Sequence, residues 1–482
     1  MNKRNRVVFF LYKTKAGKSM FMIKRIVFAA MVSLAVGIVD AQTTMQYLKD
    51  PIPEDWADNS ELFLSERPVD EAWWRVFDDQ TLDSLIVIAT QRNFSVETAL
   101  ARMEQARMNL YIERGNLFPT LALDGGWTRQ QTSGNIGVKR SLTGVYNLGA
   151  TMSWEVDLVG SIRSRIKAEQ AGFRASEEEY EGVLLSLCAQ VATTYFTLRQ
   201  YQQDREVVVR NSESQRSVLA ITESRYNSGL ASKLDVAQAR SVYYGTQAQV
   251  PEVEANISKA INSLSVLLGH FPQDMLVGVM QVRPLPEYIE PVGVDMPGAL
   301  LRRRPDVRQA ERQVEVQAAL LGASKKDWLP KFFVNGSFGF SSSEIARLPK
   351  ERSMTWEIAP SISWTLFNGG QRYNGVRQAR FQLDEAIGQY NQTVLQAMQE
   401  CSNAMATYRN AVKQIVAVRQ AFYQSEQVLT LSLDLYKQGL APFQNVLDAQ
   451  RSMLQYEEGL VSAQAASLIA LVQLFQALGG GF

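Results

Sequence analysis

The segment Ser153-Trp-Glu-Val-Asp-Leu-Val-Gly160 returns 210 residues later as Ser363-Trp-Thr-Leu-Phe-Asn-Gly-Gly370. The same spacing relates Tyr226-Asn-Ser-Gly-Leu-Ala231 to Tyr436-Lys-Gln-Gly-Leu-Ala441. Up to Pro119 the spacing is 211 instead, so a single one-residue insertion or deletion separates the two registers. A match of this length predicts one structural unit that occurs twice in the chain.

The N-terminus has the three parts of a secretory signal. Lys24-Arg25 precede the apolar run 26–39, and Val39-Asp40-Ala41 resembles a cleavage site. The apolar run is shorter than the ~20 residues that a membrane-spanning helix needs. We therefore expect residues 1–41 to be a signal peptide, and Gln42 rather than a lipidated cysteine to begin the mature chain.

Charge, cysteine and histidine content narrow the function classes. The full chain carries a formal net charge of +1, and removal of the basic leader leaves a mildly acidic exported protein, so nothing favours nucleic acid as a partner. Cys188 and Cys401 lie inside long helical patterns, and we expect two buried thiols rather than a disulfide. His270 is the only histidine, which disfavours metal and His-based catalytic sites. We expect no enzyme activity and no cofactor.

Four segments alternate between apolar and polar residues with the period of a β-strand, in hairpins at 117–157 and 328–367. Tyr146–Asp157 and Trp356–Leu366 alternate most clearly, and 121–127 alternates most weakly. Strands of ~10 residues with aromatic residues near their ends are typical of outer membrane barrels, although a half-buried soluble sheet alternates in the same way. Because open strand edges are not tolerated in lipid, lipid-facing strands require several chains to pool them. Two chains give eight strands, and three give twelve.

Two proline-free stretches predict very long helices. Gly160–Arg225 and Gly370–Leu435 each span 66 residues, or ~100 Å at the rise of an α-helix. Shorter helices flank each long one, and Pro251 is expected to kink one of them, since the second copy has Val461 there. The expected shorter helices are Ser95–Gly115 with Ser95 as N-cap, Ser232–Leu268, Asp306–Lys326 with a capping box to Gln309, and Phe443–Ala477.

These patterns predict an α+β membrane protein built from two repeats. Each repeat contains a helix, a strand hairpin and a helical hairpin. The expected divisions are a signal peptide at 1–41, an N-terminal extension at 42–94, repeat 1 at 95–270 with strands in 117–157 and a helical hairpin at 160–268, a linker at 271–304, and repeat 2 at 305–482 with strands in 328–367 and a helical hairpin at 370–477.

Several motifs resemble those of the TolC-like outer membrane factors, in the branch that partners resistance-nodulation-division efflux pumps. The resemblance covers about Trp73 to Gly480. The motifs that carry it are Ser153–Gly160, Leu301-Arg-Arg-Arg-Pro-Asp-Val307 with Glu311, Trp328-Leu-Pro330, Ser363–Gly370 and Leu447-Asp-Ala-Gln450.

The resemblance implies a homotrimer with a twelve-stranded outer membrane β-barrel, a long periplasmic α-helical barrel and an equatorial domain from 42–94, 271–304 and the C-terminus. It implies a periplasmic adaptor protein and an inner membrane resistance-nodulation-division pump as partners, in a Gram-negative outer membrane. Many members of this branch carry a lipidated cysteine after the signal. Since this chain has Gln42 there, insertion is expected to rest on the barrel.

The resemblance also assigns roles to the two turns that join the helical hairpins. It implies an adaptor-contacting tip at Tyr226, Gly229, Leu230, Tyr436, Gly439 and Leu440. Plain helix capping is the alternative explanation for the two glycines.

The resemblance further implies a periplasmic gate near Asp235 and Asp448, with Asn445 where some relatives carry another acid. A trimer repeats each carboxylate as a ring of three, which favours cations. For Asp235, an acid that stabilises the start of its helix is the alternative explanation.

The function implied is a passive exit duct of a tripartite efflux system for small molecules such as drugs and toxic compounds. A type I secretion duct for polypeptides is the alternative within this class. From another class, a periplasmic structural coiled-coil protein also fits the long helices.

Overall fold

The computed structural model describes most of the chain, which divides into two compact units. The strand unit includes residues 116–164 and 322–376, and the helical unit includes 49–115, 165–321 and 377–482. The predicted signal peptide and Gln42 lie outside the described residues. The described residues are 48, 51–56, 62–64, 72–136, 141–272, 281–288, 291–294 and 296–480.

Six β-strands form two sheets among the described residues. They are β1 (Phe63–Leu64), β2 (Thr120–Gln131), β3 (Leu142–Val156), β4 (Val292–Gly293), β5 (Lys331–Ser342) and β6 (Met354–Ser363). The short strands β1 and β4 pair in parallel within the helical unit. In the strand unit, β2, β3, β5 and β6 form an antiparallel sheet in that order.

The apolar rows of the four long strands fall on one face of this sheet. Leu123 pairs with Ala150, Ala150 with Phe338, and Phe338 with Trp356. Paired residues on neighbouring strands point to the same face, and side chains alternate between faces along each strand. The expected alternation is therefore confirmed, and β2, whose pattern is the weakest, runs over twelve residues.

The opposite face of the sheet is polar. On it, the Thr151 hydroxyl donates to Asp124 Oδ2 at 2.8 Å, and Lys331 Nζ lies 3.0 Å from Glu155 Oε1. The outermost strands, β2 and β6, each have one neighbour within this chain. The sheet thus has an apolar face, a polar face and two unpaired edges.

Nine α-helices are described. Two of them, α3 (Ser161–Asn227) and α8 (Gln371–Lys437), have 67 residues each, or ~100 Å by the helical rise. Each is one residue longer than expected. The helices are α1 (Gln80–Arg92), α2 (Phe94–Gly115), α3 (Ser161–Asn227), α4 (Lys233–Gln247), α5 (Val250–Leu267), α6 (Pro297–Arg303), α7 (Pro305–Lys326), α8 (Gln371–Lys437) and α9 (Phe443–Ala477).

The helix expected over Ser232–Leu268 is interrupted next to Pro251, as expected, and Ala248 and Gln249 between its two parts keep helical backbone angles. Helix α4 ends at Gln247, and α5 begins at Val250, which places Pro251 at the second position of a new helix. Proline is tolerated there because the first turn has no use for its missing N–H. The equivalent helix of repeat 2, α9, is continuous through Val461, so only one copy is interrupted, as expected.

Two expected helix starts are wrong by one or two residues. Asn93, not Ser95, caps α2: its Oδ1 accepts from the Ser95 N–H at 2.7 Å. Helix α7 begins at Pro305, and the Gln309 amide donates to Glu179 instead of closing a capping box.

The main hydrophobic core of the helical unit collects residues from α1, α3, α5, α8 and α9 around Trp73, Tyr195 and Phe196. Both cysteines are free and buried in it, as expected. Among the described helices, only α9 is long and apolar enough to cross a membrane. Because 61% of its most apolar window is buried by neighbouring helices, α9 is better explained as a core helix.

Candidate functional site

The candidate site is formed by two helical turns in the helical unit. Turn 1 (226–235) joins α3 to α4, and turn 2 (436–448) joins α8 to α9. In turn 1, Gly229 has φ +75°, and the Leu230 N–H donates to the Arg225 carbonyl at 2.8 Å. This is the Schellman cap of a helix C-terminus, which favours glycine at the left-handed position.

Turn 2 repeats this cap. Gly439 has φ +78°, and the Leu440 N–H donates to the Leu435 carbonyl at 2.9 Å. Capping therefore accounts for both glycines and for the backbone N–H groups of the two leucines. It does not account for the leucine side chains, which are 65% exposed in Leu230 and 71% exposed in Leu440. An exposed leucine at each turn is available for contact with another protein.

The tyrosines that open the two turns have different environments. Tyr226 is 43% exposed, whereas Tyr436 is only 4% exposed and its ring lies 5.1 Å from that of Phe443. Tyr436 belongs to a small core that gathers residues from α3, α4, α8 and α9. Of the two, only Tyr226 presents its side chain at the surface.

The three expected gate residues lie near the starts of the returning helices, Asp235 and Asn445 in the first turn and Asp448 in the second. Asp235 is the third residue of α4, and its carboxylate accepts from the Ser232 N–H at 3.0 Å while the Ser232 hydroxyl accepts from the Asp235 N–H. This capping box gives Asp235 a structural role. Asn445 and Asp448 are exposed on α9, where Asp448 Oδ1 accepts from the Gln444 amide at 2.9 Å. Of the two acids, Asp448 is exposed, whereas Asp235 is partly buried.

No group of three or more His, Cys, Asp or Glu side chains suited to a metal ion occurs within the part of the chain that the structure describes. The two turns therefore offer exposed leucine side chains for apolar contact and the Asp448 carboxylate as an exposed negative charge.

The family model "Outer membrane efflux protein" matches residues 85–270 and 296–480. The chain belongs to this family. The chain is 31% identical over 410 residues to the solvent efflux pump outer membrane protein SrpC of Pseudomonas putida, covering 84% of this chain and 86% of SrpC. It is 27% identical over 464 residues to the outer membrane protein OprJ of Pseudomonas aeruginosa, covering 94% and 95%.

Solved structures agree with this family. The outer membrane channel OprN superposes with a TM-score of 0.86 at 28% identity, covering 92% of this chain and 98% of OprN. The open state of the Neisseria gonorrhoeae MtrE channel superposes with a TM-score of 0.78 at 29% identity, covering 89% and 95%. The family resemblance, the α+β channel fold, the efflux role and the outer membrane location expected from the sequence are confirmed.

This outer membrane efflux protein carries one contact at its turns that motif reasoning missed. Arg225, at the end of α3, donates from Nη1 to the Lys437 carbonyl at the end of α8 at 2.7 Å, and its guanidinium lies 4.9 Å from the centre of the Tyr436 ring. The contact ties turn 1 to turn 2. The available signal was a mismatch between the repeats, since Leu435 occupies the position equivalent to Arg225.

Proposed function

We propose that this chain forms, as a homotrimer, the passive exit duct of a tripartite efflux pump for small organic molecules. Its partners are a periplasmic adaptor protein and an inner membrane resistance-nodulation-division pump. The relatives support this cargo class, because those it resembles are named for the efflux of solvents, toluene and antibiotics. No catalytic step is part of the proposal.

The observation that carries the duct is the four-stranded sheet with one apolar face and two unpaired edges. In lipid an unpaired edge costs several kcal/mol for each unsatisfied backbone group, about 2–7 in an apolar medium. Pairing of β2 with β6 of the next copy removes both edges. Three copies give twelve strands.

The duct is tested by expression in a Gram-negative host that lacks its own outer membrane efflux protein and carries a matching adaptor and pump. We expect outer membrane fractionation, a heat-sensitive trimer on gels, and restored export of a small fluorescent dye. A soluble monomer would contradict the duct. Export of a pump-independent polypeptide without dye export would favour type I secretion.

We further propose that turns 1 and 2 dock the adaptor. The exposed Leu230 and Leu440 provide apolar contact at each turn, and neither is needed by the cap itself, which uses their backbone N–H groups. Replacing both with serine is expected to weaken capture of the purified adaptor about thirtyfold or more, since each leucine contributes ~1–2 kcal/mol when buried. Leu395→Ser, at an exposed leucine of α8 outside the turns, is the matched control. Equal adaptor capture by all variants would remove the leucines from the docking surface.

At the same turns, we propose that Arg225 restrains a gate. A charge-assisted hydrogen bond and a cation–π contact together contribute about 2 kcal/mol, or roughly 30-fold in an opening equilibrium. Arg225→Leu, which copies the residue found in repeat 2, is expected to raise open probability in planar bilayers. The control is Arg216→Leu, an exposed arginine of the same helix. A wild-type open probability in Arg225→Leu would refute the restraint.

Asp448 completes the gate proposal as a ring of three carboxylates in the trimer. Asp448→Asn is expected to lower the preference of single channels for cations, because a ring of negative charge selects them. Asp434→Asn, an exposed acid on α8 near turn 2, serves as the control. Unchanged reversal potentials in a salt gradient would place Asp448 away from the pore.

A further inference from the structure

A cleft of about 500 Å³ lies in the helical unit between α3, the start of α7, α8 and the C-terminal end of α9. Most of its lining residues are uncharged: some are apolar, such as Leu185 and Ala404, and some are polar, such as Asn403 and Gln473. Arg304, Asp306 and Glu400 are its only charged lining residues among the described part of the chain. The cleft is large enough for a small organic molecule.

The charges in this cleft are arranged with the cation inside and the anions outside. The Arg304 side chain is 8% exposed, and it donates to both oxygens of Asp306 at 3.0 and 2.8 Å, to Glu400 Oε2 at 2.6 Å and to the Ala477 carbonyl at 2.8 Å. The side chains of Asp306 and Glu400 are 48% and 59% exposed. One buried positive charge thus faces two accessible negative charges, so the cleft presents a net negative charge to solvent.

A second cleft, of about 520 Å³, is lined by α3, α5 and α9, and none of its lining residues in the described chain is charged. It shares Gln473 and Gln476 with the first cleft, and Gln190 occupies the position equivalent to Glu400. The amide of Asn93, which is outside this lining, donates to the Leu267 carbonyl at 2.9 Å, as Arg304 donates to the equivalent Ala477 carbonyl. The backbone contact is therefore made in repeat 1 without a carboxylate at the position of Glu400.

We propose that the cleft of Arg304, Asp306 and Glu400 is a binding site for small organic cations, an ammonium or amidinium group carried on an apolar body. The cationic group lies against Glu400, whose Oε2 is held by Arg304, and the body lies against the small apolar and amide groups of α3, α8 and α9. Anions are rejected by the two accessible carboxylates. The proposed site is independent of which molecules the duct exports, because binding is measured at equilibrium on the purified trimer and needs no transport.

The test uses the purified full-length trimer in detergent and ethidium, a planar organic cation, followed by fluorescence anisotropy. We expect saturable binding that weakens with salt, and a loss of about two- to fivefold in affinity in Glu400→Gln, as for one partly exposed charge pair. A neutral naphthylamine probe is expected to bind wild type and Glu400→Gln equally. Glu426→Gln, at an exposed acid elsewhere on α8, should leave both probes unaffected.

The mirror variant keeps the proposal decidable if Glu400→Gln does not form trimers. Gln190→Glu places a carboxylate in the neutral cleft and should add salt-sensitive ethidium binding beyond the wild-type stoichiometry. Equal ethidium affinity in wild type and Glu400→Gln would overturn the site. An equal loss of affinity for ethidium and for the neutral probe in Glu400→Gln would also overturn the site. If Glu400→Gln does not form trimers, the site is overturned when Gln190→Glu binds no more ethidium per trimer than wild type.

Discussion

Asp204 on α3 is expected to make the stability of this protein fall as the pH rises. Burial raises the pKa of its carboxyl to about 7, and the neighbouring Glu458 on α9 adds to the rise, while a hydrogen bond from Gln200 opposes it. The unfolded carboxyl titrates near pH 4. Between the two values the folded chain binds the extra proton, so the contribution is complete below about pH 4 and is lost as the pH rises to 7.

The size of this effect follows from the two pKa values. Each pH unit inside the window changes the free energy of unfolding by ~1.4 kcal/mol, so the change from about pH 5 to about pH 8 is at most about 3 kcal/mol per chain. Asp204→Asn removes the titration without removing a hydrogen-bonding side chain. The variant is therefore expected to gain thermal stability over wild type at pH 8 relative to pH 5.

The assay is thermal unfolding of purified trimers at the two pH values, followed by circular dichroism. Other groups titrate in both proteins, so the informative quantity is the difference between variant and wild type. Glu458→Gln is expected to reduce the pH dependence in part, because it removes a neighbouring negative charge but leaves the burial. Parallel pH profiles for wild type and Asp204→Asn would refute the reasoning.

Two further predictions concern packing. Gly339→Ala in the sheet is expected to cost about 3 kcal/mol and to lower the yield of heat-resistant trimer in outer membranes, because the new Cβ lies 2.6 Å from Gly149 Cα; Gly126→Ala, which meets open space, is the control. Arg304→Gln is expected to cost about 2 kcal/mol in urea unfolding, because the buried Ala477 carbonyl loses its donor, whereas the half-exposed Asp306 and Glu400 remain solvated. Wild-type behaviour of either variant would show that the surrounding chain adapts to the change.

The regular parts of this fold were predictable because local patterns and the final structure agree. The alternation that begins at Trp356 continues through Pro360, which pairs with Val334 of β5, as far as the end of β6 at Ser363. Likewise, the proline-free run after Gly370 allowed one unbroken helix as far as Lys437. Such features depend on residues close together in sequence.

The features that sequence reasoning missed depend on distant residues. Ser95 and Asn93 are both good N-caps, and the choice is explained by the Asn93 amide, which also donates to the Leu267 carbonyl 174 residues away. Arg304 belongs to a run of three arginines, and nothing in that run distinguishes it from its neighbours. It is ion-paired and buried, because Glu400 and the end of α9 close around it.

For the candidate site, the sequence located both turns, but it could not rank the residues within them. Tyr226 and Tyr436 occupy equivalent positions, yet only the second is covered, because Phe443 follows it in turn 2. The equivalent residue of Phe443 in repeat 1 is Lys233, which cannot complete the same core. Phe443 and the guanidinium of Arg225 both cover Tyr436, which leaves Tyr226 as the tyrosine available to a partner.

The two repeats also separate what the fold requires from what is added to it. Both turns close with the same Schellman cap, at Gly229 and Gly439, although an arginine directly precedes only turn 1. Since Leu435 occupies the equivalent position in α8 and has no guanidinium, the bond from Arg225 to the Lys437 carbonyl is not a requirement for ending a helix. The hydrogen bond from Arg225 to the Lys437 carbonyl lies between the two turns, and neither helix needs it in order to end. A partner that binds the turns can therefore break this bond without unfolding either helix end.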